Sequence, residues 1–303
     1  MTIDNDANEI LNKTIAVSIQ FGSIGQTRTV SMTGVEIDSD KARLSLSAKI
    51  LQCKEADAIR SLFTEIRLSL VDSRRGLLLP SLFKRGVYLV PIASVESVDS
   101  ILKDGKGRLS ELVENLVAVY PERINEDRQA LGSRFSEAHY PSVDALREMF
   151  SISWRYLSLG ASSQLQSISA SVYADEVERV RTECVSVGEE IKATLRGAAL
   201  ALVTSMHERL AGFDAKGKPR IFRDSMVTNL LDFLNTFEVK NVMGDTELGN
   251  TLGQMRDLLN GLTPSDLRSH DSLRASVATQ VGKIQESLAS LVTTQNRKIV
   301  LPD

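Results

Sequence analysis

The feature that most constrains this chain is a single apolar stripe. Tyr173, Val177, Val180, Cys184, Val187, Ile191, Leu195, Ala198, Leu202, Met206 and Leu210 follow one another at steps of three or four residues. The average step is 3.7, slightly above the 3.6 of a straight helix and well above the 3.5 of a left-handed coiled coil. The spacing predicts one straight helix from about Ser163 to about Ala211, some 70 Å long at ~1.5 Å per residue. No small domain spans that distance, so part of the helix must project or several shorter helices must pack along it.

Partners of the right kind follow. Val227, Leu230, Leu231, Leu234 and Phe237 predict a second helix; Leu248, Leu252, Met255, Leu258 and Leu259 predict a third, stopped by Gly261. Leu273, Val277, Val281, Ile284, Leu288 and Leu291 predict a fourth, and Lys298 to Leu301 a closing strand. Residues 161–303 therefore read as an elongated antiparallel bundle.

The first 160 residues read differently. Thr14 to Ile37 contains two β-branched runs around a glycine turn, which predicts a hairpin. From Asp40 to Arg75-Gly76 apolar residues recur at roughly helical spacing, predicting a long and bent helix. An apolar irregular segment then ends in the extended run Gly86 to Val90. Helices are expected over 107–128 and Ser142 to Met149, and Phe150 to Leu159 alternates like a half-buried strand that pairs with the hairpin. The expected fold class is α+β, predominantly α: a 1–160 domain with a small antiparallel sheet and a 161–303 long-helix bundle.

Charge narrows the function classes. Among 303 residues, 36 Lys and Arg face 39 Asp and Glu, so the net charge of -3 gives no whole-molecule attraction to nucleic acid or to an anionic membrane. Any such attraction must be local. Between His207 and Arg223 five basic residues (Arg209, Lys216, Lys218, Arg220 and Arg223) face only Glu208 and Asp214, with Phe213 and Phe222 interleaved. Cations and rings on a turn suit a single-stranded backbone and its bases; Arg74, Arg75, Lys84 and Arg85 would extend the patch. The competing reading is that the cations complement a helix C-terminus and the rings plug the bundle. Asp175, Glu176, Glu178, Glu183, Glu189 and Glu190 outweigh Arg179 and Arg181 in the first half of the long helix, a solvated face or a charged docking surface.

Catalytic patterns are thin. Gly212 to Lys218 matches GxxxxGK but continues with Pro219, where a phosphate loop needs Ser or Thr for magnesium, and it follows a helix C-terminus rather than opening a helix. His139, His207 and His270 fall on separate elements, and Cys53 and Cys184 form no CxxC pair. Asp38 and Asp40 sit in a turn as helix caps. No cofactor, metal or catalytic residue is expected. The acidic polar N-terminus and the short apolar runs point to a cytosolic protein without membrane contact.

GVYLVP at Gly86 to Pro91, LG(x)2F(x)4YP from Leu131 to Pro141, GKPRIFRDS from Gly217 to Ser225, N(x)3D from Asn241 to Asp245 and RKI from Arg297 to Ile299 stand in an order that carries a resemblance. Across nearly its whole length the chain resembles an uncharacterised family of bacteriophages and plasmids, often encoded near MoxR-like AAA+ ATPases. The resemblance implies a mobile-element protein in a bacterial host cytosol, beside an ATPase motor it does not itself contain, and it supplies no catalytic residues.

Three functions follow from these observations. The first is a non-enzymatic assembly or adaptor protein, self-associating through Val187, Ile191, Leu195 and Leu202 and serving an AAA+ ATPase. The second is a nucleic-acid-binding protein that uses Phe213, Lys216, Lys218, Arg220 and Arg223. The third is an enzyme with an unfamiliar site. For the second, changing Lys216, Lys218, Arg220 and Arg223 together to Gln is expected to weaken single-stranded DNA binding. It should also flatten the salt dependence, by roughly 0.7 counterions per lost phosphate contact. A mobility-shift titration at several salt concentrations reads this, and unchanged slopes exclude the patch.

Overall fold

A computed structural model describes residues 2–32, 44–80, 86–210, 212 and 224–296. The chain forms two compact units, each built from separated stretches of sequence. One holds Met1–Ser18, Leu68–Glu96 and Tyr156–Asp303, and the other Ile19–Arg67 and Ser97–Arg155. The chain is α+β and predominantly helical, with a small three-stranded antiparallel sheet and a two-stranded one. The first unit thus joins the N-terminal segment and residues 68–96 to the chain from residue 156 onward.

The first unit is organised by the long helix, here α6, Ala170–Leu210. Its stripe is buried from Cys184 to Leu210, including Val187, Ile191, Leu195, Ala198, Leu202 and Met206. The expected start at Ser163 is corrected. A separate short helix, α5 (Ser163–Ile168), precedes it, and Ser169 between them is extended at φ -156 and ψ 116. The Ser169 Oγ accepts from the Val172 amide at 3.4 Å, so this residue ends one helix and caps the next.

Three helices cover α6: α1 (Thr2–Lys13), α7 (Asp224–Lys240) and α10 (Asp271–Asn296). The direction of α10 is fixed by its partners. Gln285 Nε2 donates to Thr204 Oγ1 at 3.1 Å, and Arg196 Nη1 donates to the Leu291 carbonyl at 3.2 Å, so α10 runs antiparallel to α6. Helix α8 (Thr246–Leu259) packs on α10 and α7 through Leu248, Leu252, Met255 and Leu259. A six-residue helix, α9 (Pro264–Ser269), carries a Thr263/Asp266 capping box. Sequence reading missed α1, although Ala7, Ile10 and Leu11 stand at helical spacing and the first two are buried. The closing strand expected over 298–301 lies outside the described residues.

The strands correct the expected hairpin. β1 (Thr14–Gly22) is central in the sheet order β4-β1-β5, with β4 at Val87–Pro91 and β5 at Ser151–Leu157. It pairs antiparallel with β4 from Thr14↔Pro91 to Ser18↔Val87. The next run, β2 (Thr27–Val30), pairs instead with β3 (Leu46–Lys49). The reason is that β1 is flanked on both edges by other strands, which leaves no edge for its sequence neighbour. The expected pairing of the 150–159 strand with the first of the two N-terminal runs is present.

In the second unit the helix expected from residue 40 begins only at Lys54, as α2 (Lys54–Val71). Leu44 to Lys49 alternates with period two and becomes β3, and Leu51 then turns the chain with φ 52. That conformation is costly for a branched side chain. It is held from both sides: the Leu51 amide donates to Asp127 Oδ2 at 2.9 Å and its carbonyl accepts from Gln26 Nε2 at 2.9 Å. The helix expected at 107–128 is longer, α3 (Val95–Leu131), and Val98, Leu102, Gly105, Leu109, Val113, Leu116 and Tyr120 form one buried stripe. Gly105 is part of it because a Cβ there would come within 2.5 Å of Ile66 Cδ1. The expected short helix is α4 (Val143–Met149), capped by Ser142.

Gly76, one of the expected breakers, closes the end of α2. Its amide donates to the Asp72 carbonyl at 2.7 Å, and a Cβ would fall 2.5 to 2.6 Å from backbone atoms of Leu70 and Asp72. Because main chain cannot step aside as a side-chain tip can, Gly76→Ala is expected to destabilise the fold by about 1–3 kcal/mol, read by urea denaturation.

Candidate functional site

Four residues expected at an oligomer interface lie in the core of their own chain. Val187, Ile191, Leu195 and Leu202 are 6%, 0%, 2% and 7% exposed. They are covered by the chain's own helices, so they offer no surface to a second copy. The sequence stripe marked an apolar face correctly but could not say who covers it.

Towards the other end of α6 the same stripe loses its cover, with Val180 still packed on the edge of the core. Between Ala170 and Glu183 no residue is buried, Tyr173, Val177 and Val180 are half-buried, and Val172 is 50% exposed. Just upstream, Ile168 is 78% exposed. Acids and bases flank the stripe: Arg179 Nη1 contacts Glu176 Oε2 at 2.6 Å, and Arg181 Nη1 contacts Glu178 Oε2 at 3.5 Å. Written as a heptad, Val177 is an a position, Tyr173 and Val180 are d positions, Glu176 is g and Arg181 the following e. In a parallel pair of helices g faces the next e of the partner, so Glu176 and Arg181 would meet across the axis twice.

At the α7–α8 turn the N(x)3D motif folds into a lock. Asn241 Oδ1 accepts from the Asp245 amide at 2.8 Å, and its Nδ2 donates to the Asp245 carbonyl at 3.3 Å. The Asp245 carboxylate caps α8 by accepting from the Leu248 amide at 3.1 Å. Arg196 of α6 forks onto the same carboxylate, Nε to Oδ2 at 2.6 Å and Nη2 to Oδ1 at 3.0 Å, and also reaches Glu247 at 3.2 Å. Burial works against the charged Asp245. The bonds from Arg196 and Leu248, with the charges of Arg196 and Lys192, outweigh it and hold the carboxyl below its usual range.

A cleft of about 410 Å³ opens beside this turn, lined by Phe237, Glu238, Asp245, Gly249 and Arg256 among others. The cation on its lining, Arg256, is ion-paired. Arg256 Nη1 donates to Glu238 at 2.7 Å and Nη2 to the Leu234 carbonyl at 2.8 Å. The Arg256 charge is thus already compensated by Glu238, although three of its five N–H donors make neither of these bonds.

The LG(x)2F(x)4YP motif is likewise a corner, in the second unit. Gly132 turns the chain at φ 52 after α3, Phe135 stacks on Tyr140 at 5.2 Å, and the Arg128 guanidinium lies 4.5 Å over Phe135. Tyr140 Oη donates to Asp127 Oδ2 at 2.9 Å, the oxygen that also holds Leu51, and Tyr120 Oη donates to the Pro141 carbonyl at 2.9 Å. Burial pushes the Tyr120 phenol up to about 12 and the Tyr140 phenol higher still. Both therefore stay protonated donors at neutral pH.

No acid, base or nucleophile is poised on the two cysteines. Both are buried; burial pushes the Cys184 thiol up to about 11 and raises that of Cys53. A protonated thiol is a weak nucleophile and a poor ligand. Among the described residues no group of three His, Cys, Asp or Glu could hold a metal ion, and no helix is long and apolar enough to cross a membrane. Phe213, Lys216, Lys218, Arg220 and Arg223 lie outside the described residues. The flanking helix ends are described: α6 stops at Leu210 and α7 starts at Asp224. Comparison with family models, with curated proteins and with solved structures found no match for the chain.

The Arg196–Asp245 pair is a largely buried ion pair, with side chains 14% and 3% exposed. Arg196→Met strands a buried carboxylate and is expected to cost about 3–5 kcal/mol. Because the folded carboxyl titrates below its unfolded value near 3.9, the pair's contribution is full above about pH 4 and disappears as pH falls through the folded pKa. Denaturation curves of wild type and variant should therefore converge in acid.

Proposed function

We propose that the protein is a non-enzymatic helical assembly or adaptor protein that works by self-association. The observation carrying this reading is the uncovered first third of α6. There an apolar stripe stays open over Tyr173 and Val177, reaches the edge of the core at Val180, and is fully covered from Cys184 onward. The occupant is a second copy of the same helix, in parallel. Glu176 and Arg181 stand at the g and e spacing that pairs two identical parallel helices, and valine at a favours two strands. The seam is about two heptads long, so the association is modest and concentration-dependent.

The setting follows from the motif order set out above. It supports a phage or plasmid protein in a bacterial host cytosol, presenting its paired α6 ends beside an AAA+ ATPase that supplies the energy. A second reading has the basic stretch between Leu210 and Asp224 grip a single-stranded nucleic acid. Its support is the surplus of cations between two helix ends.

Sedimentation tests the first reading. Wild type should shift from monomer towards dimer between low and high micromolar concentration, and Tyr173→Glu with Val177→Glu should remain monomeric with an unchanged melting temperature, since neither residue is part of the core. A wild type that stays monomeric throughout, or a double variant that associates equally well, removes it.

A further inference from the structure

A second cavity lies in the first unit, about 180 Å³, between the segment after α2, strand β4, α6 and the end of α7. Its walls are mostly apolar, with Leu78, Leu79, Ile191 and Leu195 all buried. Lys240, the last residue of α7, lines it and is 2% exposed. An ammonium has three donors. The Nζ of Lys240 spends one, on the Ser73 carbonyl at 3.0 Å, and among the described residues no carboxylate lies within ion-pair distance of it.

The charged groups around it are Asp72 and the exposed Glu190 on the cavity wall, with the Tyr88 ring also on the lining. Asp72 attracts the ammonium from a distance, while its Oδ1 accepts from the amides of Arg74 and Arg75 at 2.8 and 3.1 Å. A buried cation without an adjacent counter-ion is costly, and such groups are ordinarily paired. Here the missing partner and the empty volume are in the same place.

We propose that this cavity binds a small organic anion, a carboxylate on a short apolar tail, with the Lys240 ammonium as its counter-ion. The volume is slightly above that of an apolar cavity that holds benzene, which suits a ligand of about six non-hydrogen atoms. The carboxylate takes the two donors Lys240 has left, with Thr194 beside them on the lining, and the tail replaces void against the leucines. The site is independent of the α6 seam, so self-association can fail without touching it.

Burial depresses the Lys240 ammonium to about 8, against a small opposing pull from Asp72. The cation, and with it anion affinity, is therefore present below pH 8 and lost above it. Butanoate is the probe and butan-1-ol its neutral control, each titrated into the full chain by calorimetry and followed by thermal shift. Butanoate should bind and raise the melting temperature at pH 7, and its affinity should fall about tenfold per pH unit above 8. Lys240→Met should weaken it at least tenfold, and butan-1-ol should bind wild type and variant alike. Butanoate affinity that is absent at pH 7, flat from pH 7 to 10, or no better than that of butan-1-ol overturns the proposal. The pH series on wild type decides even if the variant does not fold.

Discussion

Burial of one face of α6 is the constraint on which the bundle depends. Helices of twelve to twenty-six residues, the lengths of α1, α7 and α10, are marginal alone in water. Each is stable because α6 offers a straight apolar surface, and each fully buried leucine or isoleucine on that surface contributes about 1.5–3 kcal/mol. The covering helices come from opposite ends of the described chain, α1 at Thr2 and α10 at Asn296. The unit's decisive contacts therefore join residues far apart in sequence. Such pairings incur loop-closure entropy that packing must offset, and α6 is the surface on which they converge. The Ser169 cap at one end and Gly212, at φ 86, beyond the other mark out that template.

Periodicity made elements legible but not their partners. The stripe of α6, the α7, α8 and α10 patterns and the alternation of β5 were all readable because a helix or strand buries one face at a fixed interval. Which face meets which is a tertiary fact. The β1 and β2 runs look like a hairpin from turn chemistry alone, yet β1 is occupied on both edges and β2 pairs with β3. The alternation of Leu44 to Lys49 was absorbed into a helical reading because its leucines also fit that period, and only the positive φ of Leu51 separates strand from helix there. The interface residues failed for a related reason. Val187 and Val177 occupy equivalent places on one stripe, and nothing local distinguishes the covered valine from the open one.

Two of the motifs that carried the family resemblance are corners, and a third, Gly86 to Pro91, is strand β4 with a glycine turn before it. Gly86, at φ 90, leads into β4, the Leu131–Pro141 run locks the end of α3, and Asn241 to Asp245 caps α8 and clamps Arg196. Their glycines, prolines and polar side chains resemble site residues because both jobs need directional hydrogen bonds and special backbone. Counting donors separates them. Arg196 makes four hydrogen bonds inside the protein and both Arg196 and Arg256 have a carboxylate beside them, whereas the buried Lys240 has donors left over and no adjacent counter-ion among the described residues. Sequence gave no sign of Lys240, since a lone lysine at a helix end is ordinarily a solvated complement to the dipole.

The division of the chain into two units carries a practical consequence. The path passes between them four times, and each passage falls inside a regular element: β1 at 18/19, α2 at 67/68, α3 at 96/97 and β5 at 155/156. Neither unit is a contiguous stretch, so no single truncation releases one intact, and a cut at any of these points falls inside a helix or strand. Proteases, which favour exposed loop tips, find no linker there to nick. Fragment expression of this protein therefore calls for rejoined or permuted chains rather than for shortened ones.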